Sequence, residues 1–314
     1  MLKFDPELIK KIQLEDLSDE NIIKYDQDLV DRYIFKTEPQ ELLQRLENLR
    51  IVGHRGGFKP DNTMVSFQLA AHHKIKFVEL DVYLNKENEV YVIHAGHMGQ
   101  LEQFTKNSED WIQNFTNEQM KNIKHQPGDI PIPTFREFIN FCKENDIFPL
   151  IELKGNFTKE SDLTGVRVLE ILIETDMLKK SEIISFQELL LNPCKLFLEK
   201  NNIKDYPLTL VYSNFNQSKN DAEFFISQGV NSLSLNGSQL DREVLYQVKK
   251  INPNMKINCW WSRLIHSDAV KKESLEQYLA ALDCPMDALT VDSPLVMVQL
   301  KNYLIQKYKT MLRL

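Results

Sequence analysis

The stretch FVELDVYL, residues 77–84, decides how the rest of the chain is interpreted. Its β-branched and apolar residues predict a strand, and alternate residues of a strand share one face. Glu79 and Asp81 therefore lie on the same face of a strand whose neighbouring positions are apolar. Two carboxylates on one buried face repel each other and lose hydration, and a bound cation relieves both penalties. A solvent-exposed edge strand is the alternative interpretation of this stretch.

Short apolar, β-branched runs recur along the chain and alternate with amphipathic stretches of helical length. These runs are RIVG (50–53), FVELDVYL (77–84), EVYVIH (89–94), FPLIEL (148–153), EIISF (182–186), LTLVYS (208–213), NSLSL (231–235), KINCWW (256–261) and ALTVD (288–292). If EVYVIH is an antiparallel partner of the second strand, eight strands remain, and this alternation indicates a parallel sheet. The sequence therefore predicts an α/β protein with a (β/α)8 TIM barrel.

An open doubly wound sheet is the alternative fold. Such a sheet normally carries a phosphate-binding G-x-G-x-x-G turn after its first strand. The corresponding turn here reads GHRGGFKPDN, at 53–62, and lacks that pattern. The barrel is therefore the favoured architecture.

The predicted barrel covers residues 50–314, and two segments stand apart from its rhythm. Residues 1–49 carry apolar residues at helical spacing among charges, which predicts a helical extension packed on the barrel. Residues 96–147 are long, polar and rich in proline, and they follow the second strand of the barrel. Because loops after barrel strands lie at the active-site face, this insertion is expected to roof the pocket.

Composition narrows the possible partners and compartments. The net charge is −7 and no long basic run is present, which makes nucleic acid a poor candidate partner. No run of about 18 apolar residues occurs, so no transmembrane segment is expected, while peripheral membrane contact stays open. The start of the chain lacks the apolar region of a secretory signal, and four scattered cysteines indicate free thiols. We therefore expect a cytoplasmic protein with a small-molecule substrate and an undetermined oligomeric state.

The strand FPLIEL and the two residues that follow it repeat the oddity of the first stretch. Glu152 and Lys154 share one face, and a simple ion pair between them is one interpretation. The other is that Glu152 joins Glu79 and Asp81 at neighbouring strand ends. A ligand set made only of oxygen suits Mg²⁺ or Ca²⁺ rather than zinc or iron.

Two histidines end strands close to these carboxylates. His54 and Arg55 follow the first strand, and His94 ends the EVYVIH run. Histidine exchanges its proton near neutral pH, so a pair of histidines can act as acid and base. Arg55 can present its fork of donors to a phosphate.

The order of these motifs resembles the glycerophosphodiester phosphodiesterase family. The resemblance spans about residues 50–305. The matching motifs are GHRG (53–56), DNT (61–63), VELDV (78–82), VYVIH (90–94), IELK (151–154), IISF (183–186), INCWW (257–261) and VDSP (291–294). The resemblance implies a (β/α)8 barrel and a hydrolase that needs one divalent cation, Mg²⁺ or Ca²⁺. It implies cleavage of glycerophosphodiesters to sn-glycerol 3-phosphate and an alcohol.

The resemblance also implies a role for each matching residue. The metal ligands are Glu79, Asp81 and Glu152, the acid/base pair is His54 and His94, the phosphate contacts are Arg55 and Lys154, and Trp260 or Trp261 borders the glycerol. The chain departs from the family pattern at Asp61, where the family has Glu, and at Ala95, where it has Asp. The glycine that usually precedes the second strand is replaced around Lys74.

Three other functions stay open. A phospholipase D-type enzyme acting on lysophospholipids or sphingolipids would need an apolar entrance, for which the insertion offers Phe104, Trp111 and Phe115. A catalytically inactive barrel would serve as a binding module. A triose-phosphate-type barrel would bind phosphate after its seventh and eighth strands, where this chain lacks a glycine-rich turn.

Overall fold

The structure is a computed structural model that describes residues 23–126, 128–155, 163–211, 232–261 and 273–313. Residues 1–22 of the predicted extension lie outside the described residues, and so does the stretch NDAEFFISQG (220–229), whose amphipathic pattern predicts a helix. The described chain forms two compact units. The first unit comprises the described residues of 55–210, and the second comprises those of 23–54 and 211–313.

The described residues form short strands separated by helices. The strands are β1 (Arg50–Gly53), β2 (Phe77–Leu84), β3 (Val90–Val92), β4 (Lys124–His125), β5 (Ile130–Pro131), β6 (Phe148–Leu153), β7 (Glu182–Ser185), β8 (Leu208–Val211), β9 (Ser232–Asn236), β10 (Lys256–Trp260) and β11 (Ala288–Val291). The helices are α1 (Gln27–Arg32), α2 (Pro39–Asn48), α3 (Met64–His72), α4 (Glu102–Thr105), α5 (Asn117–Met120), α6 (Phe135–Asn145), α7 (Thr164–Glu174), α8 (Glu188–Lys200), α9 (Arg242–Ile251), α10 (Leu275–Leu282) and α11 (Pro294–Leu312).

The first unit contains strand β2, which is formed by the stretch FVELDVYL. Strands β2, β6, β7 and β8 are parallel neighbours in that order, and β3 pairs antiparallel with β2. The antiparallel partner predicted for the second strand is therefore confirmed. Strand β2 lies between β3 and β6 and its six central residues are all buried, so the exposed-edge interpretation is wrong.

The insertion after β3 has a small hydrophobic core of its own. Its short helices α4 and α5 and the β4–β5 hairpin pack around buried residues that come from β2, β3 and the insertion: Tyr83, Tyr91, Ile93, Ala95, Leu101, Ile112, Met120, Ile123 and Ile132. The segment ends earlier than expected. Residues 135–145, which we assigned to the insertion, form the regular helix α6 that precedes β6. A capping box at its start, Thr134 with Glu137, fixes where the helix begins.

His125 lies on the β4–β5 hairpin, and its partly buried imidazole makes the stability of the protein depend on pH. Burial lowers the pKa of its imidazole to about 4, against a weaker opposing influence of the Asp61 carboxylate. Between pH 6.5 and 4 the unfolded chain therefore binds more protons than the folded chain, so stability falls as the pH falls. We expect His125→Phe to remove about 2 kcal/mol of this loss, measured by urea unfolding at pH 6.5 and 4.5.

The control for this prediction is His72→Phe, because His72 is exposed on α3. It should leave the pH dependence of unfolding as in the wild type. Parallel stability curves for the wild type and His125→Phe would contradict the prediction.

The second unit repeats the parallel pattern. Strands β9, β10, β11 and β1 are parallel neighbours in that order, with helices α9, α10 and α11 following β9, β10 and β11 along the chain. Helix α2 begins at Pro39, as its sequence predicts, and packs against α11. Leu42 and Leu46 on its buried face join the apolar core of this unit. The described part of the extension thus belongs to the core of the second unit.

A polar clasp ties the extension to α9 and α10. The Arg45 guanidinium donates to the Tyr246 hydroxyl at 2.9 Å, the Thr37 hydroxyl at 3.0 Å and the Leu282 carbonyl at 3.1 Å. Hydrogen bonds to a charged group contribute more than neutral ones, and breaking them leaves buried partners unsatisfied. We expect Arg45→Ala to lower the free energy of unfolding by about 3 kcal/mol, measured by chemical denaturation.

The matched control is Arg167→Ala on α7. Arg167 is more exposed and pairs with Glu170 one turn away at 2.8 Å, so its removal should cost about 0.5 kcal/mol or less. Equal losses for the two variants would show that the clasp adds nothing beyond a surface ion pair.

Two further expectations concern the cysteines and the membrane. None of the four cysteines forms a disulfide, as the sequence predicts, and all four are buried. None of the described helices combines the length and the low charge needed to cross a bilayer.

Candidate active site

Three carboxylates from β2 and β6 converge in the first unit. Glu79 and Asp81 share a face of β2, and Glu152 on β6 is the direct register partner of Asp81. Each offers one oxygen, and these oxygens lie within 4.8 Å of one another. All three side chains are buried, with at most 6% of each residue exposed. The group could therefore hold one hard cation, because carboxylate oxygens are the ligands that Mg²⁺ and Ca²⁺ prefer.

Two cationic side chains border this group of carboxylates. The Lys154 ammonium forms an ion pair with Glu152 and lies 3.4 Å from Asp81 Oδ1. The Arg55 Nε lies 3.4 Å from Asp81 Oδ2. Both interpretations of Glu152 therefore hold: it pairs with Lys154 and it also joins the three carboxylates. Two cations against three carboxylates leave one negative charge uncompensated, which a divalent ion would offset.

The electrostatics of the group follow from its burial. Burial raises the pKa of Glu152, and the nearby Lys154 ammonium opposes this rise. Burial alone would lower the pKa of Lys154, but the carboxylates of Glu152 and Asp81 outweigh it and raise that pKa. Lys154 therefore stays an ammonium at neutral pH and can contact an anion.

The turn after β1 supplies further contacts to the carboxylates. Arg55 has a left-handed backbone (φ 52°), and its N–H donates to Glu79 Oε2 at 2.8 Å. Asn62 is fully buried, and its side-chain amide donates to Asp81 Oδ2 at 2.8 Å. The side-chain oxygen of Asn62, Oδ1, in turn accepts a hydrogen bond from the main-chain N–H of Asp81. Asn62 holds the carboxylate in place, a role that the DNT match could have suggested but that the sequence analysis did not assign.

The structure shows the surroundings of two of the departures from the family pattern, Asp61 and Ala95. Asp61 accepts from the Lys59 ammonium at 2.7 Å and lies 3.7 Å from an Arg55 nitrogen, so its shorter side chain keeps a contact to the arginine. Ala95 is buried among the apolar residues of the core of the insertion, where a charged side chain would lose its hydration.

His94 follows β3 closely. The N–H of Ile93 donates to the Asp81 main-chain carbonyl at 2.9 Å, which ties the end of β3 to the strand that carries two of the carboxylates. The His94 carbonyl accepts from the side chain of Gln103 in α4. The imidazole is half-buried. The structure therefore anchors the main chain of His94 on both sides, in the unit that contains the three carboxylates.

His54 lies in the second unit, where a carboxylate orients it. His54 Nδ1 lies 2.6 Å from Asp292 Oδ1, and both side chains are about one-tenth exposed. An ionised carboxylate can only accept a hydrogen bond, so Nδ1 carries the hydrogen of this contact and Nε2 is the ring nitrogen left to accept a proton. Asp292 belongs to the VDSP motif, for which the sequence predicted no individual role. Its position directly after β11, like that of His54 after β1, is the signal that could have found it.

The two tryptophans at the end of β10 differ in their surroundings. Trp261 is 1% exposed, and its ring packs edge-on against Tyr278 with centroids 5.3 Å apart. A Cβ added at Gly237 would lie 2.0 Å from the Trp261 ring, so the indole fills the space that this glycine leaves. Trp261 is thus packed in the core of the second unit. Trp260 is half-buried and remains the candidate of the pair.

Comparison with known sequences shows which family this chain resembles. Residues 54–295 match the model of the glycerophosphoryl diester phosphodiesterase family. The glycerophosphodiester phosphodiesterase of Bacillus altitudinis is 30% identical over 116 residues, which are 34% of this chain and 46% of that protein. The chain thus aligns with just under half the length of this curated relative.

Solved structures show the same fold. A crystal structure of a proposed glycerophosphodiester phosphodiesterase from Galdieria sulphuraria has a TM-score of 0.69 at 20% identity, covering 81% of this chain and 98% of that one. A phosphodiesterase of Oleispira antarctica, solved with its product sn-glycerol-3-phosphate, has a TM-score of 0.65 at 19% identity, covering 82% and 99%. These likenesses confirm the predicted TIM barrel. Because the family model spans more than three quarters of the chain, the protein belongs to the glycerophosphoryl diester phosphodiesterase family.

Proposed function

We propose that the protein hydrolyses glycerophosphodiesters to sn-glycerol 3-phosphate and an alcohol, using one Mg²⁺ or Ca²⁺ ion. The observation that carries this proposal is the convergence of three buried carboxylates beside a half-buried arginine and a half-buried lysine. Such a group is costly to bury without a function, and its charges suit a phosphodiester together with a divalent ion. A cation held there would polarise a phosphoryl oxygen as a Lewis acid.

The side chains of this site have distinct tasks in binding. Arg55 presents a fork of N–H donors that matches two oxygens of a phosphate, and its side chain is already held near Asp81. Lys154, directly after β6, supplies a second positive charge. Both cations are in place before the substrate arrives, so little reorganisation is needed as negative charge builds on the phosphoryl oxygens.

The two histidines transfer the protons. One histidine accepts the proton of the attacking hydroxyl as the new O–P bond forms. The other donates a proton to the leaving oxygen as its P–O bond breaks, so that the alcohol departs neutral. His54 has Asp292 to stabilise its protonated form. His54 and Arg55 are consecutive residues, which supports their acting on one substrate.

The attacking hydroxyl has two candidate sources. Water would give glycerol 3-phosphate directly, whereas the 2-hydroxyl of the substrate would give a transient cyclic phosphate that water then opens. Phosphorus NMR during turnover distinguishes the two, because only the second route shows the cyclic species.

The phospholipase D-type alternative is less well supported by the insertion. Phe104 and Phe115 were candidates for an apolar entrance, but both pack against the core of the insertion. The ring of Phe104 meets His125 edge-on at 5.2 Å. Part of their apolar surface is buried inside the insertion, so less apolar surface is available to contact a lipid chain.

An activity panel tests the proposal. The substrates are glycerophosphodiesters with different head groups, together with lysophosphatidylcholine, each with and without a chelator. We expect release of glycerol 3-phosphate that the chelator abolishes and added Mg²⁺ or Ca²⁺ restores. Faster turnover of the lysolipid would favour the phospholipase D-type reaction, and no turnover of any substrate would favour an inactive binding barrel.

A further inference from the structure

A buried carboxylate outside the catalytic set holds the residue that orients His54. The Glu273 side chain is 4% exposed, and its Oε1 accepts the main-chain N–H of Asp292 at 3.0 Å. The same oxygen accepts the hydroxyl of Tyr278, which is fully buried on α10. The contacts therefore run from α10 through Glu273 and Asp292 to the imidazole of His54.

The position of Asp292 explains why it needs such support. Strand β11 ends at Val291, and the last residues that it pairs are Thr290 with β10 and Val291 with β1. Asp292 is one residue beyond this ladder and two residues before α11 begins. Its N–H is bonded to Glu273 instead of to a neighbouring strand. The Glu273 carboxylate thus fixes the backbone from which the orienting side chain extends.

The cost of burying Glu273 argues for a specific role. A buried carboxylate loses several kcal/mol of hydration, which its hydrogen bonds only partly return. Glu273 directly precedes Ser274, the N-cap of α10, where the helix dipole also favours a negative charge. An apolar side chain would fill the space at lower cost but could not accept the N–H of Asp292.

We infer that Glu273 is a positioning residue for His54, acting through the backbone of Asp292 with Tyr278 as its support. This inference rests on the proposed function for its kinetic consequences, while its structural part stands on the contacts alone. Glu273 and Tyr278 touch neither the substrate nor the reacting atoms in this scheme. They set the angle at which the imidazole of His54 presents Nε2.

The test compares Glu273→Ala, Glu273→Gln and Tyr278→Phe in the full chain. We expect Glu273→Ala to lower kcat about 10- to 100-fold, as loss of an outer partner of a functional side chain does, and to leave KM within about twofold. Glu273→Gln keeps an oxygen that accepts the N–H and should restore most of kcat. Tyr278→Phe should give an intermediate loss. Glu276→Ala, an exposed carboxylate on the same helix, is the matched control and should match the wild type.

A spectroscopic readout keeps this test separate from the test of the hydrolase. In the proton NMR spectrum of nitrogen-15-labelled protein, the proton on Nδ1 of His54 should appear far downfield because of the Asp292 carboxylate. The signal is assigned by its loss in His54→Gln. Glu273→Ala should shift or broaden this signal, and Glu273→Gln should retain it. If the wild type cleaves no glycerophosphodiester, this signal alone decides the inference.

Two results would overturn the inference. One is an unchanged Nδ1 signal in Glu273→Ala. The other is a loss of kcat in that variant no larger than its unfolded fraction, measured by thermal unfolding, with no recovery in Glu273→Gln. Either result would reduce Glu273 to a structural link between α10 and β11.

Discussion

Glu79→Gln should abolish the response of the protein to divalent cations and reduce kcat/KM about 1,000-fold, which is about 4 kcal/mol of transition-state stabilisation. The substitution removes one of the three charges that face the cation. It keeps an oxygen that can accept the Arg55 N–H, which now donates to Glu79 at 2.8 Å. The change is therefore one of charge with little change of shape.

Thermal and chemical unfolding check this prediction without substrate. At a metal concentration 100 times the dissociation constant, the wild type should gain about 2.7 kcal/mol, and the variant should gain little. Without metal, the variant should be at least as stable as the wild type, because one of three mutually repelling carboxylates is gone.

The matched control for Glu79→Gln is another buried carboxylate of the same sheet. Glu182 on β7 accepts from the Thr209 hydroxyl and does not belong to the group of three carboxylates. Glu182→Gln should keep the full gain on adding metal. If Glu79→Gln gains as much as the wild type does, the cation binds elsewhere and the proposed chemistry loses its site.

The parallel strands and the group of three carboxylates could be predicted from the sequence. Buried parallel strands are apolar runs between turn residues, and β1, β2 and β6 begin and end where those runs do. A carboxylate inside such a run is conspicuous, because nothing in strand propensity or burial favours it. Glu79, Asp81 and Glu152 were found for that reason.

The contacts around His54 could not be predicted in the same way. Asp292 is 238 residues from His54 in sequence, and Glu273 lies in a connection where its residue type is ordinary. Its function comes from burial, which only tertiary packing creates. The sequence leaves the choice between Trp260 and Trp261 open for a related reason, since one residue of register moves a side chain to the other face of a strand.

Substitution of His54 or His94 is the second change for which we expect a large loss of activity. His54→Gln and His94→Gln should each lower kcat about 100- to 10,000-fold and leave the stabilisation by metal unchanged. Glutamine is the better substitution at position 54 because its amide can still donate to Asp292, which otherwise stays buried beside an empty space. The rates are measured on the best glycerophosphodiester from the activity panel, and metal binding is measured by thermal unfolding.

The double variant decides whether the two histidines share a step. If one accepts and the other donates a proton in the same displacement, removing the second costs little once the first is gone, because groups that act as a unit are strongly non-additive. We therefore expect the double variant to be only slightly slower than the slower single variant. His72→Gln, an exposed histidine on α3, should keep the wild-type rate. Losses that multiply would assign the histidines to separate steps, and a wild-type rate in either single variant would remove that histidine from the proton transfers.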